Sequence, residues 1–599
     1  MPLFPNRIPE WRKNIFVILL SLIFVVLLYN FYRIQITQHS KYSGIAENNR
    51  VRMISLRAPR GIIYDREGKI LADNEFQYNI SVIPYEMDSS DKHYQKLGRI
   101  LGISRETIQK RVKKNWRGEF RPALIAKGVD FKTLSWVMEH KLELPGVIYT
   151  LDPYRNYPTE VNLTHVLGYL REITGSSLEK YKKYGYDSGD LIGSKGVEKE
   201  YESILRGEKG YKYVQVNAKG RVLGDLERKD NIAPKPGNNL YLTIEKNLQE
   251  KCEHVLQGKK GAMIVMNPEN GEILAGVSKP DYSPELFSGV IGSHIWDSLK
   301  NNPKRPLYNR ITKAQYPPGS TFKMMAAMGA LDGNIVDSTW TINCPGYYVL
   351  GRRKFKDWKK GGHGKVDMVK SIEQSCDVYY YTLIRKMELD YWAKCVRRFG
   401  FGRSTGIDLP EENIGNVPDI SYMNQKYGKN GWTEGYKLNI VIGQGEVLVT
   451  PVQMARYISA FANGGKLIQP HIGLKYYDKK RDEFKKLNSQ KDEIEYYSPE
   501  TWQLMKHAMY RVVNVPLGTA NLANTVEKAK IYGKTGTSQN AHGKDHAWFV
   551  GYMEYKGQKI SIVVFLENGG GGGKNAAPLA GKIFEYYNKM KWKQNNNND

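Results

Sequence analysis

The longest uninterrupted run of apolar positions lies near the N-terminus. From Ile15 to Tyr29 the sequence reads IFVILLSLIFVVLLY, in which Ser21 is the only polar side chain. Extended to Tyr32, the run has 18 residues. At about 1.5 Å per residue a helix of this length nearly crosses a hydrocarbon core of about 30 Å. The pattern therefore predicts a transmembrane helix over residues 15–34.

Two interpretations of this run compete, an uncleaved signal anchor and a cleaved signal peptide. A signal peptide normally has a shorter apolar core and a small-x-small cleavage site directly after it. Here the run leads into Asn30-Phe-Tyr-Arg33, and the first small pair, Gly44 and Ala46, comes late. We therefore expect a single-pass anchor in the cytoplasmic (inner) membrane, with residues 1–14 in the cytoplasm and the rest of the chain in the periplasm.

Beyond the anchor, the pattern divides into two regions. The polar stretch at 233–239, APKPGNN, is typical of a domain boundary. It separates a first region over 35–240 from a second over 241–593, with a disordered tail expected at 594–599. In the second region strands at both ends enclose a helix-rich middle, which predicts an α+β fold. The predicted elements are a helix at 245–256, a hairpin at 261–276 that turns at 267–271, strands at 547–553 and 560–566, and a helix at 578–592.

The first region offers no candidate chemistry of its own. It is rich in Tyr and Lys, and its clearest element is a strand-turn-strand pattern over 60–72, with the turn at Asp65–Gly68. We expect this region to be an elongated structural pedestal.

Composition excludes several classes of protein. Of 599 residues, 41% are hydrophobic and 25% charged, which argues against wholesale disorder. Four cysteines are too few for a disulfide-stapled scaffold. The 89 Lys and Arg against 62 Asp and Glu leave a net charge of +27, which suits nucleic acid, an anionic membrane surface or an anionic substrate. Because the predicted topology exports most of this charge, and no zinc-finger or helix-turn-helix pattern is present, nucleic acid is not expected as a partner.

Candidate catalytic residues begin with Ser320 and Lys323. The sequence PPGSTFK at 317–323 precedes an apolar helical run, so the serine is expected at a helix start with the lysine on the same face. A serine hydroxyl needs a neighbouring base, and a lysine of depressed pKa can be that base. The pattern alone is weak evidence, because Ser177-Leu-Glu-Lys180 matches it too and is interpreted as a solvated helix face.

Two later motifs distinguish Ser320 from that second match. Ser375-Cys-Asp377 lies 55 residues further on, and Lys534-Thr-Gly-Thr537 follows just before the two predicted C-terminal strands. A strand at the latter motif would present the backbone of Thr537 and the ammonium of Lys534 to the site.

A possible metal site lies in the same region. Cys344, Asp357, His363 and Cys376 supply two thiolates, a carboxylate and an imidazole, a set suited to structural, tetrahedral zinc. Two alternatives stay open: a disulfide between Cys344 and Cys376, or neither a metal nor a disulfide.

In this order the three catalytic motifs resemble the penicillin-recognising acyl-serine enzymes. Together with the anchor, the RGIIYDR at 60–66 and the GSKGVE at 193–198, they resemble the class B penicillin-binding proteins. The DWKKGGHG at 357–364 and the middle motif ending in Asp377 resemble the elongation-type penicillin-binding protein 2 group. The resemblance covers residues 12–592.

The resemblance implies a penicillin-binding transpeptidase fold with an antiparallel sheet flanked by helices. It also implies a serine-type peptidoglycan D,D-transpeptidase that cross-links stem peptides during cell elongation and shape maintenance and is a target of β-lactams. Acyl transfer would need no cofactor. A RodA-like membrane glycosyltransferase and other elongation-complex proteins would be partners, since no glycan-polymerising region is present. Two other functions are considered. The same catalytic residues could hydrolyse the acyl-enzyme, as in a D,D-carboxypeptidase or β-lactamase, or the protein could be a non-enzymatic penicillin-binding sensor or scaffold.

The resemblance also implies which residues attack the substrate and transfer protons. Ser320 would attack the D-Ala-D-Ala carbonyl, Lys323 would be the general base, and Ser375 would relay protons. Asp377 stands where division-type relatives usually have Asn, and it is expected to pair with Lys323 or with Lys534.

The remaining roles concern substrate binding. The backbone N–H groups of Ser320 and Thr537 would form the oxyanion hole. Lys534 and the hydroxyls of Thr535 and Thr537, with Gly536 between them, would hold the substrate's terminal carboxylate. For the metal site, the resemblance implies an Asp, Asp, His, Cys zinc quartet. Asp357, His363 and Cys376 match three of its members, and Cys344 replaces a carboxylate.

Overall fold

The computed structural model describes most of the chain. The described residues are 9–42, 51–87, 91–116, 118–119, 122–158, 160–173, 175–187, 189–216, 222–225, 231–288, 291–487, 491–494 and 497–596. Residues 1–8 of the predicted leader and 597–599 of the predicted tail therefore lie outside them.

The first helix runs from Glu10 to Tyr32 and continues as a π-helical turn over Arg33–Thr37. It begins before the predicted residue 15, and its apolar side chains are exposed along the whole length. By length and composition, Glu10–Thr37 is able to cross a membrane. Exposed Leu, Ile, Val and Phe on every side of a helix are typical of a surface that faces lipid.

The chain divides into two compact units. One comprises Met1–Pro59, Phe76–Pro153 and Gly207–Pro236, and the other comprises Arg60–Glu75, Tyr154–Arg206 and Gly237–Asp599. Two segments within the region 35–240 therefore fold in the same unit as the residues beyond 240.

Besides helix Glu10–Tyr32, the described part of the first unit contains two groups of paired strands and several helices. Strands Val51–Leu56, Gly210–Val216 and Val222–Asp225 pair antiparallel in the described part of one sheet. In the other, Ala123–Val129 pairs antiparallel with the later half of Ile70–Val82. Helices Asp91–Leu101, Arg105–Lys114 and Phe131–Glu139 contribute Leu97, Ile108 and Leu134 to its buried core. Strand Val147–Asn156 also pairs with Ile70–Val82.

The second unit is organised around an antiparallel sheet. Its described strands, in spatial order, are Ile273–Lys279, Gly261–Met266, Gln558–Leu566, His546–Tyr555 and Lys530–Ser538. All six residues of Gly261–Met266 are buried, in a sheet against which helices Lys246–Val255, Pro451–Ala462 and Ala577–Asn596 pack. Such near-continuous burial explains why these strands appear in the sequence as apolar runs rather than as alternating patterns. The predicted α+β fold is confirmed.

Several elements predicted from the sequence are present in the structure. The hairpin predicted at 261–276, the strands at 547–553 and 560–566 and the strand-turn-strand over 60–72 are all confirmed. The helix predicted at 245–256 spans Lys246–Val255. The final helix spans Ala577–Asn596, so residues 594–596 of the predicted disordered tail are helical.

Helices pack against the sheet and carry the middle of the chain. Pro451–Ala462 is buried at every position and begins with a capping box between Thr450 and Gln453. Besides Lys246–Val255, Pro451–Ala462 and Ala577–Asn596, the helices of eight or more residues in the described part of the region 241–593 are Ser293–Asn301, Lys323–Asp332, Asp377–Ile384, Leu389–Arg398, Ile420–Tyr427, Glu434–Val441 and Pro499–Asn514.

Several short strands complete the second unit. Glu483–Lys486, Gly473–Asp478, Asn239–Leu242, Ile63–Tyr64 and the first half of Ile70–Val82 form a second sheet. The short pairs are Ile342–Cys344 with Gly364–Val366, Tyr347–Leu350 with Arg353–Lys356, Lys466–Ile468 with Lys491–Glu493, and Leu170–Glu172 with Leu191–Gly193.

A buried ionic cluster joins the early segments of this unit. Glu198, fully buried, accepts from Arg60 Nε at 2.5 Å and from Arg155 Nε at 2.6 Å. Arg60 also contacts Glu202, 2.5 Å away. Breaking a buried ion pair leaves an uncompensated charge, so these three chain segments are mutually dependent. The family-like sequences at 60–66 and 193–198 thus have a structural role.

Candidate active site

Ser320 lies in a tight turn directly before a buried helix. Gly319–Phe322 forms a 3₁₀ turn, and the α-helix begins at Lys323 rather than at the serine. Gly319 has φ +58°, and a Cβ at this position would lie 2.7 Å from the carbonyl oxygen of Thr537. Only glycine meets both demands. The backbone beside Ser320 therefore touches the strand that carries the Lys-Thr-Gly motif.

Lys323 is fully buried, and its ammonium has three hydrogen-bond acceptors. Lys323 Nζ donates to the backbone oxygen of Ser375 at 2.7 Å, to Ser375 Oγ at 3.2 Å and to Asp377 Oδ1 at 2.7 Å. Of the two partners expected for Asp377, the structure therefore selects Lys323. Three acceptors satisfy the three donors of an ammonium, which explains how the side chain tolerates burial.

Lys534 donates to the hydroxyl of the same serine, Ser375, from a different element of the fold. It lies in strand Lys530–Ser538, is fully buried, and donates from Nζ to Ser375 Oγ at 2.9 Å and to the carbonyl oxygen of Thr535 at 3.1 Å. Burial, together with the nearby charge of Lys323, holds the pKa of Lys534 well below its ordinary value, although Asp377 opposes the shift.

The hydroxyl of Ser375 is thus the meeting point of two lysines. A serine hydroxyl has two acceptor lone pairs and one donor proton. With both lone pairs engaged by ammonium groups, the proton is left to be donated elsewhere. Ser375 itself has φ +57°, a sparsely populated conformation for a non-glycine residue. Such strain is typical of functional sites that the surrounding structure holds in place.

The two threonines of the Lys-Thr-Gly-Thr strand lie in different environments, one buried and one exposed. Thr535 is buried, and its hydroxyl hydrogen-bonds the hydroxyl of Thr519 at 2.8 Å. Thr537 is exposed, and its Oγ1 accepts from the N–H of Gly572 at 3.2 Å. A Cβ on Gly536 would lie 2.5 Å from the carbonyl oxygen of Pro318. The strand therefore passes directly beside the turn that carries Ser320.

Two residues that the sequence analysis missed connect this turn to the strand. The N–H of Gly319 donates to the carbonyl oxygen of Gly443 at 2.9 Å. The side chain of Gln444 donates to the carbonyl oxygen of Thr537 at 3.0 Å and accepts from the N–H of Gln539 at 3.2 Å. The only local signal was the Gly-Gln-Gly tripeptide at 443–445, which predicts a turn but not its neighbours.

The four candidate metal ligands come together beside the candidate catalytic residues. Asp357 Oδ2 lies 3.5 Å from Cys344 Sγ, 3.4 Å from Cys376 Sγ and 3.6 Å from His363 Nδ1. All four side chains are buried, and the four ligand atoms lie within 4.8 Å of one another. Both cysteines are free thiols in the structure.

Asp357 also fastens this cluster to the middle catalytic motif. Its Oδ2 accepts from the N–H of Asp377 at 2.9 Å and from the N–H of Val378 at 3.2 Å, at the start of helix Asp377–Ile384. Burial works against ionisation, but hydrogen bonds from His363 and from the backbone outweigh it and lower the pKa of Asp357. In Cys376 burial raises the thiol pKa.

Comparison with known proteins identifies the family. A model of the penicillin-binding protein dimerisation domain matches residues 55–242, and a model of the penicillin-binding protein transpeptidase domain matches residues 261–585. The chain is a penicillin-binding protein. It is 36% identical to the peptidoglycan D,D-transpeptidase MrdA of Acinetobacter baumannii over 606 residues, covering 97% of this chain and 88% of the relative. It is 34% identical to MrdA of Haemophilus influenzae, covering 94% and 89%.

Solved structures agree with this assignment. Penicillin-binding protein 2 of Helicobacter pylori in complex with MreC gives a TM-score of 0.78 at 29% identity, covering 90% of this chain and all of that one. The same H. pylori protein alone gives 0.74. The expected membership of the elongation-type class B group is therefore confirmed, and this penicillin-binding protein is a serine-type peptidoglycan D,D-transpeptidase of cell-wall elongation.

Removing the side chain of Gln444 tests how far the site depends on its connection to Thr537. We expect Gln444→Ala to lower the rate of acylation by a fluorescent penicillin about tenfold, because the side chain holds the backbone of Thr537 beside the Ser320 turn and small displacements in a reacting site are costly. Gln425→Ala, an exposed glutamine of helix Ile420–Tyr427, is the matched control. Equal acylation rates for all three proteins would show that the contact is dispensable.

Proposed function

We propose that this transpeptidase works through an acyl-enzyme on Ser320, with Lys323 as the general base. The observation that carries the proposal is the meeting of two buried lysine side chains at one hydroxyl. Lys323 and Lys534 both donate to Ser375 Oγ, at 3.2 and 2.9 Å. Such an arrangement lets a proton pass between Ser320, the lysines and a substrate amine without crossing bulk water.

In acylation, Ser320 Oγ bonds to the carbonyl carbon of the penultimate D-Ala, and the bond from that carbon to the terminal D-Ala nitrogen breaks. In this step Lys323 takes part as the amine, the deprotonated form of the group that the three acceptors hold at rest. The hydroxyl proton passes to this amine and then, through Ser375, to the leaving nitrogen. In deacylation, an amine of a neighbouring stem peptide forms the new C–N bond, and its proton returns to Ser320 as the ester bond breaks. Asp377, 2.7 Å from Lys323 Nζ, positions the base.

Charge developing on the carbonyl oxygen requires donors that are already in place. The N–H groups of Ser320 and Thr537 fill this role, supported by the close approach of Gly319 to Thr537. Removing one such donor from an enzyme typically costs about 3–4 kcal/mol of transition-state stabilisation.

The substrate's terminal carboxylate is bound by Lys534 and the exposed hydroxyl of Thr537, and Gly536 between them lets the strand pass close to the turn that carries Ser320. The hydroxyl of Thr535, bonded to Thr519, contributes by holding the strand in register. An ammonium-carboxylate hydrogen bond is roughly twice as strong as one between neutral groups.

Replacing the nucleophile tests these roles. We expect Ser320→Ala to abolish covalent labelling by a fluorescent β-lactam, because no oxygen is left to form the ester. Ser177→Ala, which alters the second Ser-x-x-Lys match, keeps full labelling. Labelling is read from denatured protein, so that only covalent adducts count. Persistent labelling of Ser320→Ala would refute the assignment.

We infer further that Cys344, Asp357, His363 and Cys376 hold a structural zinc ion. Bonds of about 2.0–2.3 Å around a tetrahedral ion separate neighbouring ligand atoms by roughly 3.3–3.8 Å. The contacts of Asp357 Oδ2 with the other three ligand atoms, 3.4 to 3.6 Å, fit this spacing. Zinc would supply a fixed cross-link with no open position. The residues themselves hold segment 344–366 against the start of helix Asp377–Ile384.

Elemental analysis tests the metal. Protein purified without chelator is expected to contain about one zinc per chain, and Cys376→Ser is expected to lose it, because the thiolate ligand is gone. Cys395→Ser, a buried cysteine outside the cluster, keeps its zinc. Absence of zinc from the unmutated protein would refute the site.

We propose the following topology and domain organisation. Residues 1–14 lie in the cytoplasm, residues 15–34 form the single membrane anchor, and the rest is periplasmic, with a pedestal over 35–240 and a transpeptidase domain over 241–593. Helix Glu10–Thr37 supports the anchor. Arg12 and Lys13 precede its apolar part, which accords with the excess of basic residues on the cytoplasmic side.

Cross-linking of nascent strands requires a partner that polymerises glycan. We propose a RodA-like membrane glycosyltransferase for this role and an MreC-like protein as a further partner, since the H. pylori relative was solved with MreC. With a lipid-linked precursor as substrate, the detergent-purified chain alone is expected to yield no cross-linked polymer, and adding the glycosyltransferase is expected to produce it. Cross-linked polymer from this chain alone would contradict the dependence.

A further inference from the structure

A strongly basic surface segment borders the active site and has no role in the mechanism above. Residues 352–365 read RRKFKDWKKGGHGK. All seven cationic side chains in this segment are exposed, and its one acidic residue, Asp357, is buried. The seven cations are Arg352, Arg353, Lys354, Lys356, Lys359, Lys360 and Lys365. Within the described ranges none of the seven forms an ion pair with a carboxylate.

Such a concentration of unpaired charge is unfavourable in the protein alone. Like charges on adjacent side chains repel one another, and the repulsion is relieved by an anionic ligand. The segment therefore fits a polyanionic partner.

Two hydrogen bonds attach the segment to the edge of the candidate active site. The indole N–H of Trp358 donates to the carbonyl oxygen of Gln374 at 3.0 Å, and Asp357 accepts from the N–H of Asp377 at 2.9 Å. These two contacts lie on either side of Ser375 in the sequence. The segment therefore lies next to the residues that flank Ser375.

Trp358 gives the surface an apolar component. Its side chain is 60% exposed, although the hydrogen bond to Gln374 and the nearby imidazole of His363, 5.7 Å between ring centroids, fix its orientation. An exposed but immobilised indole presents a flat face for stacking at little cost in conformational entropy. Lys359 and Lys360 follow it directly and carry mobile charges beside that face.

We propose that Trp358, Lys359 and Lys360 bind the acceptor strand, the glycan-peptide whose amine resolves the acyl-enzyme. The indole face stacks on a sugar ring or on an apolar part of the stem peptide, and the two ammonium groups bind its free carboxylates. Lys534 takes the donor's terminal carboxylate, so the two strands are bound by separate cations. The proposal rests on the acyl transfer at Ser320 proposed above.

The test separates acceptor binding from acylation. The full-length protein in detergent is acylated with a small thioester donor, and aminolysis is measured against soluble, uncross-linked glycan-peptide strands and, separately, against hydroxylamine. For Lys359→Gln/Lys360→Gln we expect the KM for the strands to rise about five- to tenfold, the size expected of two exposed ion pairs. The rate with hydroxylamine, which does not reach the segment, stays within about twofold.

The salt dependence and two tryptophan variants sharpen the result. The KM of the unmutated protein for the strands is expected to rise with ionic strength, and that of the double variant to rise less. We expect Trp358→Ala also to raise the KM for the strands above that of the unmutated protein. Trp358→Phe keeps an aromatic ring but loses the hydrogen bond to Gln374, and it is expected to retain most of the affinity for the strands.

Lys113→Gln/Lys114→Gln is the matched control, because it removes two exposed lysines from helix Arg105–Lys114. An unchanged KM for the strands in Lys359→Gln/Lys360→Gln, with acylation intact, would overturn the acceptor site alone. Equal losses with the strands and with hydroxylamine would also overturn it, because they would indicate a general disturbance of Ser375. Failure of the thioester to acylate Ser320 would instead refute the proposed nucleophile.

Discussion

The catalytic region depends on one demanding arrangement, two fully buried lysines that share a single hydroxyl. Taking an ammonium group out of water costs several kcal/mol unless its hydrogen bonds are replaced. Lys323 is compensated by Asp377 and by two oxygens of Ser375. Lys534 receives less compensation, and its pKa is strongly lowered. The surrounding fold must therefore be stiff enough to prevent either side chain from escaping to solvent.

That stiffness comes from elements distant in the chain. The two lysines lie 52 and 159 residues from Ser375, one on a buried helix and the other within the antiparallel sheet. Gly319 packs against the carbonyl oxygen of Thr537, and the Gly443–Gln444 pair contacts both. The contact between Gly319 and Thr537 requires a backbone approach that no larger residue at position 319 would permit. Catalytic geometry and core packing are consequently parts of one arrangement.

The Asp357 carboxylate gives the middle motif a second support. It contacts the cluster of Cys344, His363 and Cys376 and also accepts two backbone N–H groups at the start of the helix that follows Ser375. The neighbouring basic segment is held through the same residue and through Trp358. The two contacts connect this exposed segment to the residues on either side of Ser375.

The sequence by itself determined the family, the α+β fold and the identity of the motif residues, because local patterns and short motifs carry that information. It also located the hairpin at 261–276 and the C-terminal strands, whose apolar runs and turn residues are contiguous. The roles assigned to Ser320, Lys323 and the zinc quartet stay predictions.

Only the tertiary structure decided the partner of Asp377, the hydrogen bond between Thr535 and Thr519, and the contacts of Gln444. It also decided that 60–75 and 154–206 fold with the residues beyond 240. The physical reason is the same for each: these contacts form between segments far apart in sequence, and hydrophobic periodicity reports which face of an element is buried, not which distant element buries it.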